Sequence, residues 1–202
     1  MIFGFGHSSR FGLALLALLA ATARAAPAGE LSSAYREINL AKQCAYEPEG
    51  GGAEQGGWRC AGYRGVPVEI GAQDGRTHLS FGPKPWDEKA GQQTLSRPNK
   101  FDGGVVEWRL DADRKALAAI TLWKAQRPSD KPFESYTGRI IVVTRLGPGG
   151  VCHVGYVDAR ANSGAEALAR EIADRSARSF QCDKDRAVVA GKREPGFNFV
   201  AP

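Results

Sequence analysis

Histidine and methionine are scarce in this chain, with three of the first and one of the second in 202 residues. Past residue 25 only His78 and His153 remain. The sequence has no G-x-S-x-G elbow, no G-x-x-x-x-G-K-[ST] loop and no H-E-x-x-H pair. It therefore lacks the exposed serine of α/β-hydrolases, the phosphate cradle of P-loop enzymes and the paired zinc ligands of zincins. No run of Lys or Arg marks it as a nucleic-acid or membrane-surface binder. No apolar stretch reaches the roughly 20 residues that a membrane-spanning helix needs.

The longest apolar run, Phe11 to Ala21 (FGLALLALLAA), lies near the N-terminus behind one positive charge, Arg10. Ala23-Arg24-Ala25 follows with the small-x-small pattern that a signal peptidase reads. Residues 1–25 are expected to be a cleavable signal peptide, with Ala26 as the alternative cut. No cysteine follows the run closely enough for a lipid anchor. The remainder, 177 of 202 residues, is enough for one domain with a real core. Losing Arg10 and Arg24 lowers the formal charge from +5 to +3, an ordinary value that argues against a polyanion partner. The Ala-, Gly- and Arg-rich composition suits a bacterial source, which points to a periplasmic or secreted protein.

In an oxidising compartment an even count of cysteines favours disulfides. Cys44, Cys60, Cys152 and Cys182 allow three pairings. The two sequence-local pairs, Cys44–Cys60 and Cys152–Cys182, are expected. The first closes a loop rich in glycine and the second ties a strand to the end of a helix. In the chain-entropy model each is worth roughly 3–4 kcal/mol. The spacings of 16, 92 and 30 residues contain no C-x-x-C, which speaks against a zinc site. Cys152 and His153 are neighbours, but successive strand residues face opposite ways. No metal or other cofactor is expected.

Alternation of apolar and polar residues marks two hairpins, and a β-branched apolar run with a glycine turn marks a third. Val66, Val68 and Ile70 return through Asp74-Gly75 to Leu79 and Phe81. Val106, Trp108 and Leu110 return through Asp111–Arg114 to Ile120 and Leu122. Arg139–Leu146 (RIIVVTRL) is apolar on both faces, which predicts a central strand. It returns through Gly147–Gly150 to Val151–Asp158, with Cys152, Val154 and Tyr156 expected on one face and His153 on the other. A strand is expected over 36–46. Ala165, Leu168, Ala169 and Ile172 form a helical stripe. Ser163 and Glu166 complete a capping box, and Glu166/Arg170, Glu171/Arg175 and Asp174/Arg178 are i,i+4 pairs. The expected fold is α+β: an antiparallel sheet of about six to seven strands, with one C-terminal amphipathic helix packed on it, stapled by disulfides. Residues 26–182 form one domain, and 183–202 read as a polar tail.

The arrangement of Tyr35…Cys44, Cys60-Ala-Gly-Tyr63, Asp74-Gly-Arg76, Glu107-Trp-Arg109, the strand before Cys152 and the Ala-rich helix ending near Cys182 resembles a loose group of uncharacterised exported proteins of Gram-negative bacteria. The resemblance covers most of the mature chain. It implies export and a shared stapled fold, and it brings no catalytic residues.

Function is expected in two long connections, residues 82–104 and 124–138. Trp86 has basic neighbours and can stack on a sugar or hold a partner, or else pin its own loop. Phe133 and Tyr136 stand in the second connection. If both loops leave the same sheet edge, they make a recognition surface for a protein or small ligand. The leading expectation is a non-enzymatic binding or envelope-associated protein. The alternatives are a small hydrolase or metal-dependent enzyme using His78 or His153, and an inhibitor of an exported enzyme. Either histidine would need a carboxylate such as Glu69 or Glu107 on its own face to serve as a base. Glu107 and Asp111 otherwise read as ordinary solvated positions.

Overall fold

The fold was read from a computed structural model, which describes residues 1–4, 31–48 and 56–200. The expected signal peptide, from residue 5 onward, lies outside the described residues. In chain order the elements are β1 (Ser32–Ile38), α1 (Leu40–Gln43), β2 (Cys44–Glu47), β3 (Gly57–Ala61), β4 (Pro67–Gln73) and β5 (Arg76–Phe81). Next come α2 (Lys89–Gln92), β6 (Asn99–Lys100), β7 (Gly104–Leu110), β8 (Ala116–Ala125) and β9 (Gly138–Arg145). The chain ends with β10 (Cys152–Asp158), α3 (Ala165–Ser176) and β11 (Val188–Ala190).

The three hairpins are β4–β5, β7–β8 and β9–β10, and α3 lies on the sheet as expected. They do not share one sheet. Seven strands form a mixed sheet in the order β1-β7-β8-β9-β10-β11, with β6 added beside β8. Four strands, β2-β3-β4-β5, form a separate antiparallel sheet. The residues of β9 explain the split. Ile141 and Val143 face α3, while Ile140 and Val142 face the other way, so the large sheet is apolar on both sides. One helix covers only one side. The β4–β5 hairpin turns over to cover the second with Val68, Ile70, Leu79 and Phe81, which pack against Trp108, Trp123 and Ile140. Trp108 is fully buried and meets Phe81 edge-on at 5.5 Å. Gly62 allows this approach, because a Cβ there would stand 2.6 Å from the Trp108 ring.

The stretch expected as one strand over 36–46 is two. β1 belongs to the large sheet and β2 to the small one, and the turn of helix α1, capped by Asn39, carries the chain between them. The two disulfides are Cys44–Cys60, across β2 and β3, and Cys152–Cys182. No helix among the described residues is long and apolar enough to cross a membrane.

Helix α3 departs from the expectation in two ways. Its N-cap is Gly164, so the Ser163–Glu166 capping box does not form. Of the three i,i+4 pairs, Glu171–Arg175 is present at 3.5 Å. Arg170 and Asp174 instead reach the sheet. Arg170 bonds Glu107 at 2.7 Å, and Asp174 takes both ends of the Arg109 guanidinium at 2.8 and 2.7 Å. Ser33 joins the same network. Glu107 and Arg109 are thus buried under the helix and not solvated. A polar strand face can be covered when the covering helix brings matching charges.

Residues 183–200 are part of the body and not a tail. β11 pairs in parallel with β10, and Phe197 and Phe199 are buried among the core aromatics.

Candidate functional site

A β-bulge between His153 and Gly155 sets the geometry of the candidate site. It resets the alternation of β10. Cys152, Val154 and Val157 face α3, and Tyr156 joins the opposite side. Tyr156 was expected beside Cys152 and instead stands beside His153, with the phenol oxygen 3.0 Å from His153 Nδ1. Gly155 makes the bulge compatible with the helix, since a Cβ there would stand 2.6 Å from Ile172.

His153 is 1 % exposed and lies edge-on to Trp123 at 5.8 Å. Its Nε2 has no partner among the described residues. Burial drives its pKa down to about 3, and the nearby charge of His78 acts in the same direction. Burial raises that of the Tyr156 phenol. Both groups are therefore held neutral at pH 7.

His78 comes from β5 and sits under α2. Its pKa is lowered, chiefly by burial, against the opposing pull of a hydrogen bond to the Gly91 backbone. Its Nδ1 is buried with no partner among the described residues. Glu69 and Glu107 do not join the histidines: Glu69 is held by Arg59 at 2.8 Å, and Glu107 lies under α3. Among the described residues no group of three or more His, Cys, Asp or Glu is placed to hold a metal ion.

Beside these rings opens a cleft of about 400 Å³. The β4–β5 turn supplies Gln73, Asp74 and Arg76 to its wall, and β5 supplies His78. Gln92, Gln93 and Thr94 close it from the 82–104 connection, and Tyr156 forms its inner end.

The 82–104 connection is ordered by hydrogen bonds, not left as a loose loop. Val151 N donates to Glu88 and Ala90 N to the Val151 carbonyl. His153 N donates to Gln93 Oε1, and Gln93 lines the cleft. Asn99 holds the connection to β5. Its Oδ1 accepts from Thr77 N, and its amide donates to Thr94 Oγ1 and the Arg97 carbonyl. Asn99→Ala removes all three and leaves a buried N–H without an acceptor. It should cost about 2–3 kcal/mol in a urea unfolding curve. It should also speed hydrogen exchange in residues 94–101.

The three aromatic residues named from sequence separate. Trp86 is half-buried and covers Gly91, where a Cβ would lie 3.1 Å from the ring, so it pins its own loop. The two long connections do meet. Asn99 pairs with Ala125, Gln126 N donates to the Pro98 carbonyl, and Arg97 Nε to the Gln126 carbonyl. Lys100 Nζ stands 4.3 Å from the centre of the Tyr136 ring. Phe133 is 70 % exposed at φ 59°, a backbone region that bulky side chains rarely adopt. Its ring lies against Gly75, about 3.5 Å from the position a Cβ would take there. Phe133 therefore stands at the turn whose flanking residues line the cleft.

Sequence reasoning missed Gln73, Asp74, Arg76, Gln92, Gln93, Thr94 and Tyr156 as site residues. The six turn and loop residues look like solvated positions in sequence, and Tyr156 depends on the bulge. The chain matches no protein-family model, and no curated protein or solved structure is similar to it.

Proposed function

We propose that this is an exported, non-enzymatic binding protein, and that it takes a small polar ligand in the cleft between the β4–β5 turn and the 82–104 connection. One observation carries the reading. A cleft of about 400 Å³ gathers polar groups from three parts of the fold, with His78 from β5, Gln93 from the 82–104 connection and Tyr156 from β10. Arg76, Gln73 and Gln92 add polar groups at the mouth. Small-ligand sites combine a concave shape with a few such convergent groups. Export is supported by the N-terminal pattern of Arg10, Phe11–Ala21 and Ala23-Arg24-Ala25 and by two disulfides.

Thermal-shift screening of the purified protein against sugars, amino acids and nucleotides tests the reading. A ligand at a hundred times its Kd stabilises by about 2.7 kcal/mol, which moves the melting temperature by several degrees. The stabilised protein should lose this response in His78→Ala and Gln93→Ala. A response that both variants keep would place the ligand elsewhere and overturn the assignment.

A further inference from the structure

We infer that the ligand of this cleft is a neutral saccharide, held by planar polar side chains inside the cleft and by the ring of Phe133 at its rim. The inference rests on the binding reading above and adds the chemical class.

Gln73, Asp74, Arg76, His78, Gln92 and Gln93 line the cleft. Every one ends in a planar group, and amides, carboxylates and guanidinium groups each present two polar atoms in a fixed fork. Such forks match pairs of neighbouring hydroxyls, each of which both donates and accepts. His78 adds an imidazole to the same lining.

The lining carries one guanidinium, Arg76, and one carboxylate, Asp74, which cancel. His78 is kept toward its neutral form by burial. A phosphate-bearing ligand would call for several cations in a site where this cleft offers one.

Phe133 is exposed at the tip of the second connection, in a strained backbone conformation, with its ring against Gly75 of the turn that forms the cleft wall. A small zwitterion has no apolar face to cover such a ring. A sugar ring has one, made of its axial C–H groups, beside the hydroxyls that the forks would hold.

Isothermal titration with maltotriose, cellotriose and chitotriose, and separately with glutamate, glycine betaine and AMP, tests the assignment. At least one trisaccharide should bind and the three charged compounds should not. Phe133→Ala should weaken saccharide binding about tenfold, the scale of one lost aromatic face, and Arg76→Ala should weaken it by a similar factor. Both side chains are at least partly exposed, so unchanged melting curves will show that the variants fold. Gln92→Ala, at an exposed position, provides a third independent readout. If glutamate, betaine or AMP binds and responds to Arg76→Ala while no saccharide does, the cleft is a ligand site and the saccharide assignment is overturned. If a saccharide binds without responding to any of the three variants, the cleft and the assignment both fall. Absence of binding by all six compounds overturns the assignment.

Discussion

Replacing Cys152 and Cys182 together by alanine should lower the unfolding free energy by about 3–4 kcal/mol and the melting temperature by roughly 10 °C. The bond closes a loop with a sequence separation of 30 residues that contains the whole of α3. Without it the unfolded chain gains the freedom of that loop, while the folded chain loses a link between β10 and the segment after the helix. Both sulfurs are buried in the helix-side core. The neighbouring turn is already held. The Arg145 guanidinium, itself buried, donates to the carbonyls of Pro148, Gly150 and Ala177. The variant should therefore keep its native β-sheet circular dichroism and lose stability, not structure. An unfolding curve that superposes on that of the oxidised parent protein would show that the bond contributes nothing.

Acidification should destabilise the protein through His153. The folded pKa is about 3 against an ordinary 6.5. The unfolded chain thus binds the proton more tightly than the folded one between these values. The stability that comes from keeping His153 neutral is complete above pH 6.5 and is lost as pH falls toward 3. Each pH unit below 6.5 costs about 1.4 kcal/mol, so about 2–3 kcal/mol is gone at pH 4.5. His78 is shifted in the same direction and adds to the slope. The groups that face His153 do not offset this: Tyr156 is held as the neutral phenol, Trp123 presents a ring edge, and Gln93 bonds the backbone. His153→Gln cannot titrate. Urea curves at pH 7.0 and 4.5 should differ by at least 2 kcal/mol less in the variant than in the parent. Equal differences would mean that another group governs the acid limb.

The hairpins were legible because Val66–Phe81 and Val106–Leu122 pair a two-residue alternation with a turn signal, and Arg139–Asp158 pairs a β-branched apolar run with one. The helix stripe from Ala165 to Ile172 and the local cysteine pairs were legible for similar reasons: their information is short-range. The rest depended on what lies across the fold. Alternating Glu107 and Arg109 look the same in sequence whether water or a charged helix covers them. The double-sided apolar pattern of β9 predicted that both faces are covered, but not that the β4–β5 hairpin would provide the second cover. The bulge at His153–Gly155 moved Tyr156 across the sheet, and a one-residue slip of this kind reverses every later side chain. The cleft combines one turn, one loop and that displaced tyrosine, so no local pattern announces it. Tyr136 meets Lys100 of the other long connection, Phe133 lies against Gly75 of the β4–β5 turn, and Trp86 serves its own loop.

Amide chemical-shift mapping with uniformly ¹⁵N-labelled protein tests the central claim most directly. The compound that gives the largest thermal shift is titrated in, and the perturbed residues are read off. The shifts are expected to concentrate at Gln73–His78, Gln92–Thr94 and Tyr156. Shifts confined to the exposed apolar patch of Tyr35, Val105 and Leu122 on the other side of the large sheet, with the cleft residues unmoved, would contradict it.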